Sequence, residues 1–224
     1  MSARDNILSR VRRSLAASGD DTQRRTAVAE RIAAARPGII PQRGQLPTDE
    51  RIKLFCYYAE KYGATTTRIG SITELPAAVS AYLKSRNLPA SVRMGDDELL
   101  KAADFASEPV LSVLHGASDG NDLAGVSHAI AGVAESGTLV LASGQDNPVT
   151  INFLPEHHIV AINAADIGGS LEEAFADVTQ TYGKGEMPRT VNFVTGPSRS
   201  GDIEQKIIMG AHGPRALHIV IVDD

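Results

Sequence analysis

"GVSHAIAGVAESGTLVLASG", residues 125–144, sets two apolar, β-type segments on either side of Glu135-Ser136-Gly137. A Ser-Gly pair between such runs is a turn signal, so the stretch predicts a hairpin or a sharply bent strand with Glu135 at the bend. A carboxylate at such a turn is most often simply solvated, and on residue type alone that reading of Glu135 wins.

Outward from this hairpin, strand-like and helix-like segments alternate. On the N-terminal side, "ATTTRI" (64–69), "ASVRM" (90–94) and "PVLSVLHG" (109–116) are short and rich in strand formers. Between the first two lies "ITELPAAVSAYLKSRN" (72–87), helical after a proline interruption. Ahead of them a helix opens at Thr48, turns Ile52, Phe55, Cys56 and Ala59 inward, and ends at Gly63. On the C-terminal side, "NPVTINFLPEHHIVAI" (147–162) reads as a short helix, a stop at Leu154-Pro155 and a strand through Ile162. "SLEEAFADVTQTYG" (170–183) is a helix capped by Ser170 with Leu171, Phe175 and Val178 inward. Such alternation predicts an α/β fold: an open mixed sheet flanked by helices.

Composition sets the limits on function. The 224 residues are 42% hydrophobic and 22% charged, the balance of a globular chain. The purest apolar run, Ala216–Val222, is strand-sized, so no membrane span is expected. The opening "MSARDNILSRVRRSLAAS" lacks the apolar core of a secretory signal, and Asp5 argues against a transit peptide, so the expected location is cytoplasmic. A single cysteine, Cys56, forms no internal disulfide and holds no iron–sulfur cluster or zinc by itself; its apolar neighbours make it a core thiol. His157 and His158 are adjacent, so in a strand they point to opposite faces and cannot chelate one metal. With no Gly-x-Gly-x-x-Gly, no P-loop and no metal-ligand spacing, neither a cofactor nor a metal is expected.

Charge divides the chain. The overall −5 arises from nine arginines against four acids in residues 1–45 and a body, 46–224, that carries −10. Within the first segment, Ile7, Leu8, Val11 and Leu15 recur at helical spacing among Arg4, Arg10, Arg12 and Arg13, and a second helix is expected over 22–35, stopped by Pro37-Gly38. These basic helices read as an arm that docks on the acidic body of the same chain or of a second copy, in keeping with a homo-oligomer. Nucleic acid is disfavoured, because the rest of the chain would repel phosphate and no aromatic platform accompanies the arginines. "PGIIPQRGQLPTDE" (37–50) reads as the linker.

The last forty residues hold the densest candidate chemistry. "TVNFVTG" (190–196) is a strand, and "GPSRSGDIEQKI" (196–207) reads as the loop and helix start that leave its C-terminal end, where open α/β sheets bind ligands. Gly196 and Gly201 allow close backbone approach, Ser198 and Ser200 offer hydroxyls, and Arg199 offers a fork suited to carboxylate or phosphate. Against an anion stand Asp202 and Glu204, and Ser200 reads equally as a helix cap. "GAHGPRALHIVIVDD" (210–224) adds a turn with His212 and Arg215, fixed by Pro214, before the final strand.

"AESGTLVLASG", "LPEHHIVAI", "GPSRSGDIEQKIIMGAHGPRALHIVIVDD" and "MSARDNILSRVRRSL" together resemble the lactate utilisation protein C family, whose shared module is the LUD domain. Ser136 and Ser200 stand where that family usually has Thr, which keeps a hydroxyl. The resemblance implies a fold related to the ribose-phosphate isomerase and CoA-transferase group. It also implies a role in oxidising L-lactate to pyruvate beside partner proteins that carry the iron–sulfur clusters.

Two functions of different class follow. In the first, the chain is a non-catalytic accessory subunit that binds a small anionic ligand or a partner. In the second, it is an isomerase or acyl/CoA-transferase-like enzyme with Glu135 as base or nucleophile, a reading that rests on fold-level analogy. Both place a site at one mouth of the sheet. Its candidate residues are Glu135, Ser136, Gly137 and Thr138 at the bend, Gly196, Ser198, Arg199 and Ser200 after the late strand, and His212, Gly213 and Arg215 before the last one.

Overall fold

The computed structural model describes residues 2–15, 21–34, 38–183, 185–203 and 206–224, with the main chain alone at 202, 203, 206 and 207. Pro37 and Glu204, invoked above as a helix stop and a helix-start acid, lie outside the described residues. The chain divides into two compact units, Met1–Ile39 and Ile40–Asp224.

In the first unit, α1 (Ala3–Ser14) and α2 (Thr22–Ala34) are the expected helices. A capping box starts α1: the Ser2 hydroxyl accepts from the Asp5 N–H, and the Asp5 carboxylate accepts from the Ser2 N–H. The same bonds from Ser2 lower the Asp5 pKa. Arg12 and Arg13 occupy its last turn, where the helix dipole favours cations. The apolar stripe of Ile7, Val11 and Leu15 is exposed.

The second unit runs α3 (Thr48–Lys61), β1 (Thr65–Ile69), α4 (Leu75–Ser85), β2 (Ser91–Met94), α5 (Glu98–Ala102), β3 (Ser112–His115), β4 (Ala124–His128), β5 (Ala131–Val133), β6 (Thr138–Ala142), α6 (Val149–Phe153), β7 (His157–Asn163), β8 (Ile167–Gly168), α7 (Leu171–Tyr182), β9 (Val191–Val194), β10 (Arg199–Ile203), β11 (Lys206–Met209) and β12 (Ala216–Val222). Among the described residues, six strands form an all-parallel sheet in the order β1-β12-β7-β4-β2-β3. Four more form a second sheet, β8-β5-β6-β9, in which β5-β6 and β6-β9 are antiparallel. The α/β class is as the sequence predicts, and the antiparallel component forms a sheet of its own.

Burial explains the apolar runs. β7 and β12 are inner strands covered on both faces, so alternate residues enter different cores. Ile159, Ala161, Val220 and Val222 pack with α4 and α5 on one face; Val160, Ile162, Leu217, Ile219 and Ile221 meet α3 and the Leu139 and Leu141 side of β6 on the other. Ala131, Val133 and Val140 on the far side of the second sheet pack against Ala174 and Val178 of α7. Leu171 and Phe175, expected inward, are exposed; the stripe that faces the sheet is Ala174 and Val178, small enough to let α7 lie close.

The opening stretch of the sequence spans both sheets. β4 belongs to the parallel sheet, and three residues after His128 the chain re-emerges as β5 in the second, a crossing the sequence reading did not place; the turn expected at Glu135-Ser136-Gly137 comes after it. The hairpin follows, with Val133 opposite Thr138. Gly137 sits at φ +63°, and a Cβ there would collide with the α3 backbone at Tyr58 and Ala59. It is a packing glycine.

The expected helix after Gly196 is replaced by a two-stranded antiparallel ribbon, β10–β11, in which Arg199 faces Met209 and Ser200 faces Ile208. The cause is legible in the residues: Gly201 weakens any helix there, and Ile207-Ile208 favours extended backbone. Ser200 is therefore not a helix cap.

Candidate functional site

A cavity of about 430 Å³ opens where β9 ends, β7 and β12 begin, and α6 and the end of α3 converge. Its walls are the aromatic rings of Tyr62, Phe153 and Phe193 with Leu217, its rim carries Ser198, Arg199, His212 and Gly213, and Asn152 and His158 also line it. It lies at the C-terminal end of β9, as expected of that strand. That strand is in the antiparallel sheet, however, and His158 and Leu217 are the second residues of β7 and β12. The cavity thus opens at the N-terminal edge of the parallel sheet, where the usual rule for open α/β sheets does not place ligands.

Local backbone geometry assembles the rim. Gly196, at φ +73°, turns the chain so closely under α3 that a Cβ would strike the Tyr62 carbonyl. The Arg199 guanidinium donates to that same carbonyl oxygen, which leaves further N–H groups on its fork. Ser198 ties the two loops together: its N–H donates to the Pro214 carbonyl, its carbonyl accepts from Gly210, and its hydroxyl accepts from the His212 N–H at 3.3 Å. No aspartate or glutamate lines the cavity among the described residues.

The candidate residues divide. Gly196, Ser198, Arg199, His212 and Gly213 share the cavity. Arg215 faces an adjoining hollow that also contains His212 and Gly213, and it pairs with Glu156 at 3.5 Å on the surface. Ser200 lies on the ribbon outside the lining. Ser136 and Thr138 reach the site only through a hydroxyl chain, in which Ser136 meets Thr138 at 2.8 Å and Thr138 meets Thr195, a lining residue, at 2.7 Å.

Glu135 is employed elsewhere. One carboxylate oxygen accepts from the N–H of Leu171, the first residue of α7, at 3.2 Å, and the other lies 3.5 Å from Arg43. Its side chain is 11% exposed, and it is absent from the cavity lining. A carboxylate at a helix N-terminus with an arginine partner is a stabilising arrangement. The convergence expected of positions 135, 199 and 212 therefore holds for the last two only.

The polar floor is what the sequence reading missed. His158 is fully buried, and burial drives its pKa down to about 3, so the ring is neutral. Its Nε2 lies 3.0 Å from the Ser127 hydroxyl, which in turn donates to Asn152 Oδ1 at 2.9 Å. Nδ1 of His158 and Nδ2 of Asn152 are buried without a hydrogen-bond partner among the described residues. The sequence signal was there: Ser127 and His158 each adjoin an apolar strand run, and buried polar residues are rarely idle.

Comparison with known proteins agrees with this geometry in extent. Residues 121–222 match the LUD domain, and apart from Tyr62 every residue lining the cavity falls in that range. Lactate utilization protein C from Geobacillus sp. is 42% identical over 93 residues, which cover 41% of this chain and 39% of that protein. The protein of the same name from Shouchella clausii is 35% identical over 92 residues, covering 41% and 40%. The matches thus span about two fifths of the length of these curated relatives. A crystal structure of a DUF162 family protein from Deinococcus radiodurans superposes with a TM-score of 0.59 over 79% of this chain and 99% of that one, at 20% identity, and so shares the fold. Over residues 121–222 the chain is similar to the LUD domain, and over about two fifths of its length it is similar to the lactate utilization proteins C.

Proposed function

We propose that this chain is an accessory component of L-lactate utilisation that holds a small anionic ligand in the cavity between its two sheets. The observation that carries the reading is the lining itself: Arg199 and His212 at the rim, amide and imidazole at the floor, and no carboxylate among the described residues to repel an anion. The relatives named for lactate utilisation supply the pathway. Its volume lies within the roughly 300–1,000 Å³ common to small-molecule sites.

In this reading the oxidation of L-lactate to pyruvate takes place with iron–sulfur partner proteins, since one cysteine holds no cluster. The basic N-terminal arm serves assembly with such a partner or with a second copy. Glu135 contributes stability to the body rather than chemistry.

Calorimetric titration of the purified chain with L-lactate tests the site. Binding that falls at least about tenfold in Arg199→Ala supports it, tenfold being the ~1.4 kcal/mol of one charge-assisted hydrogen bond. No binding of any small carboxylate refutes it.

A further inference from the structure

Among the described residues, none in α1 or α2 is buried, and Val28 and Ile32 of α2 are exposed as Ile7, Val11 and Leu15 of α1 are. Helices of 12 and 13 residues are marginal in water unless one face is packed, so these two need a cover. On α1 the face is marked. At about 100° per residue, Arg10 falls on one side of the Ile7–Val11–Leu15 stripe and Arg12 on the other. A surface that fits it is apolar along the middle and acidic along the flanks.

The body offers such a surface at β3, the outer strand of the parallel sheet. Val110, Leu114 and Leu123, which precede, belong to and follow this strand, are exposed. Residues 96–122 around them hold seven acids against Lys101, a balance of −6 out of the −10 carried by residues 46–224. Side-chain bonds hold these acids at the edge. Asp96 lies 3.0 Å from His115, the last residue of β3, and Asp122 pairs at 3.0 Å with Arg93 of β2, whose guanidinium also donates to the His115 carbonyl. Glu98, Asp104, Glu108 and Asp119 have no ion pair among the described residues. The outer main chain of β3 has no strand beside it among the described residues, and sheet edges of this kind are commonly covered by a helix or loop.

We propose that α1 of one copy lies along the β3 edge of a second copy, which returns the contact with its own α1. The stripe covers Leu114 and its apolar neighbours, and Arg10 and Arg12 meet the carboxylates on either side. Four arginines against Asp5 give α1 a charge of +3, set against the −6 of the edge. Each copy exposes both the helix face and its receptor, so one exchange makes two equal contacts and closes on a twofold axis. The second contact costs no further translational freedom, which favours a twin over an unrelated partner. The proposal rests on the assembly role given to the arm above and not on the cavity.

The test is the light-scattering mass of the full chain over a dilution series. The expected result is a dimer at low salt whose dissociation constant rises at least about tenfold in roughly 0.5 M salt, since its charged flanks are screened there. Arg10→Glu with Arg12→Glu should weaken it at least about tenfold, and so should Glu98→Lys with Glu108→Lys. The four changes together should recover most of the loss, because they restore opposite charges across the contact. A monomer at every concentration overturns the proposal, and so does a dimer unmoved by either pair of changes or not recovered by all four. Binding of a monomeric chain to vesicles of anionic lipid overturns it in favour of a membrane surface. Should the Glu98/Glu108 pair not fold, the arm pair and the salt dependence decide. A monomer that binds L-lactate leaves the cavity reading intact, so the two readings fail separately.

Discussion

The carboxylate of Glu135 accepts a hydrogen bond from the backbone N–H of Leu171 at 3.2 Å, and so a residue on a β-turn holds the first turn of α7. The bond, together with Arg43, makes Glu135 a joint between three chain segments. Glu135→Gln keeps an acceptor and removes the charge. We expect a loss of stability of about 1 kcal/mol in urea denaturation and no change in L-lactate affinity. A variant of native stability that no longer binds would return Glu135 to the site.

Ser127 bridges two residues that would otherwise be stranded in the core. Ser127→Ala removes the bridge but not the groups it satisfies, so His158 Nε2 and Asn152 Oδ1 lose their partner in a water-poor setting. We expect a cost of roughly 1–3 kcal/mol, read as a lower urea midpoint at unchanged slope. A neutral outcome would mean that the triad is not held by this serine.

Most of the fold could be read directly, because the signals that set it are local. The apolar runs "HIVAI" and "LHIVIV" need only their own residues to declare inner strands, and Ser136-Gly137 declares its own turn. What stayed hidden depends on partners distant in sequence. Nothing near Glu135 announces that Leu171 and Arg43 will come to meet it. Nothing near His158 says that Ser127 and Asn152 will lie beside it. The ribbon at 199–209 was misread for a different reason: Ser, Gly and Asp fit a helix start as readily as an exposed strand, and pairing with the following strand decides between them.

Acid should weaken the fold through its histidines before the carboxylates take over. Burial depresses His158 to about 3 and His218 to about 4, from an unfolded value near 6.5. Between those values the unfolded chain binds more protons than the native one, so stability is complete above about pH 6.5 and falls as the pH drops toward the folded values. From pH 7 to pH 5 each histidine should cost on the order of 2 kcal/mol. Urea midpoints measured across that interval should fall, and the fall should be shallower in His158→Leu. A flat profile would show that neither ring is buried as described.

Gly137→Ala separates packing from ligand binding at the bend. The residue has positive φ, and its missing Cβ faces the α3 backbone. Strain and overlap together should cost about 1–3 kcal/mol, visible as a lower melting temperature, with ligand affinity kept in the folded fraction. A stable variant that fails to bind would assign Gly137 to the ligand instead.

Where the body begins is decided by a six-residue segment. Residues 40–45 were expected to close the basic arm, yet they belong to the same compact unit as the sheets. Within them the Gly44 N–H donates to the Pro41 carbonyl, Gln45 Nε2 donates to the Ile40 carbonyl, and Gly44 is buried against the backbone of Gly169. Arg43 reaches Glu135, whose other oxygen holds α7. A truncated chain starting at residue 40 keeps all of these contacts, and one starting at 46 loses them. The longer form should therefore melt several degrees higher, since about 1–2 kcal/mol corresponds to roughly 2–8 °C for a domain of this size. Arg43→Ala in the longer form should reproduce part of the difference, and adding Glu135→Gln to it should cost little more, because the two changes break one joint. Equal melting of the two truncations would show that the segment is only a linker, and that α7 keeps its N-terminal turn without it.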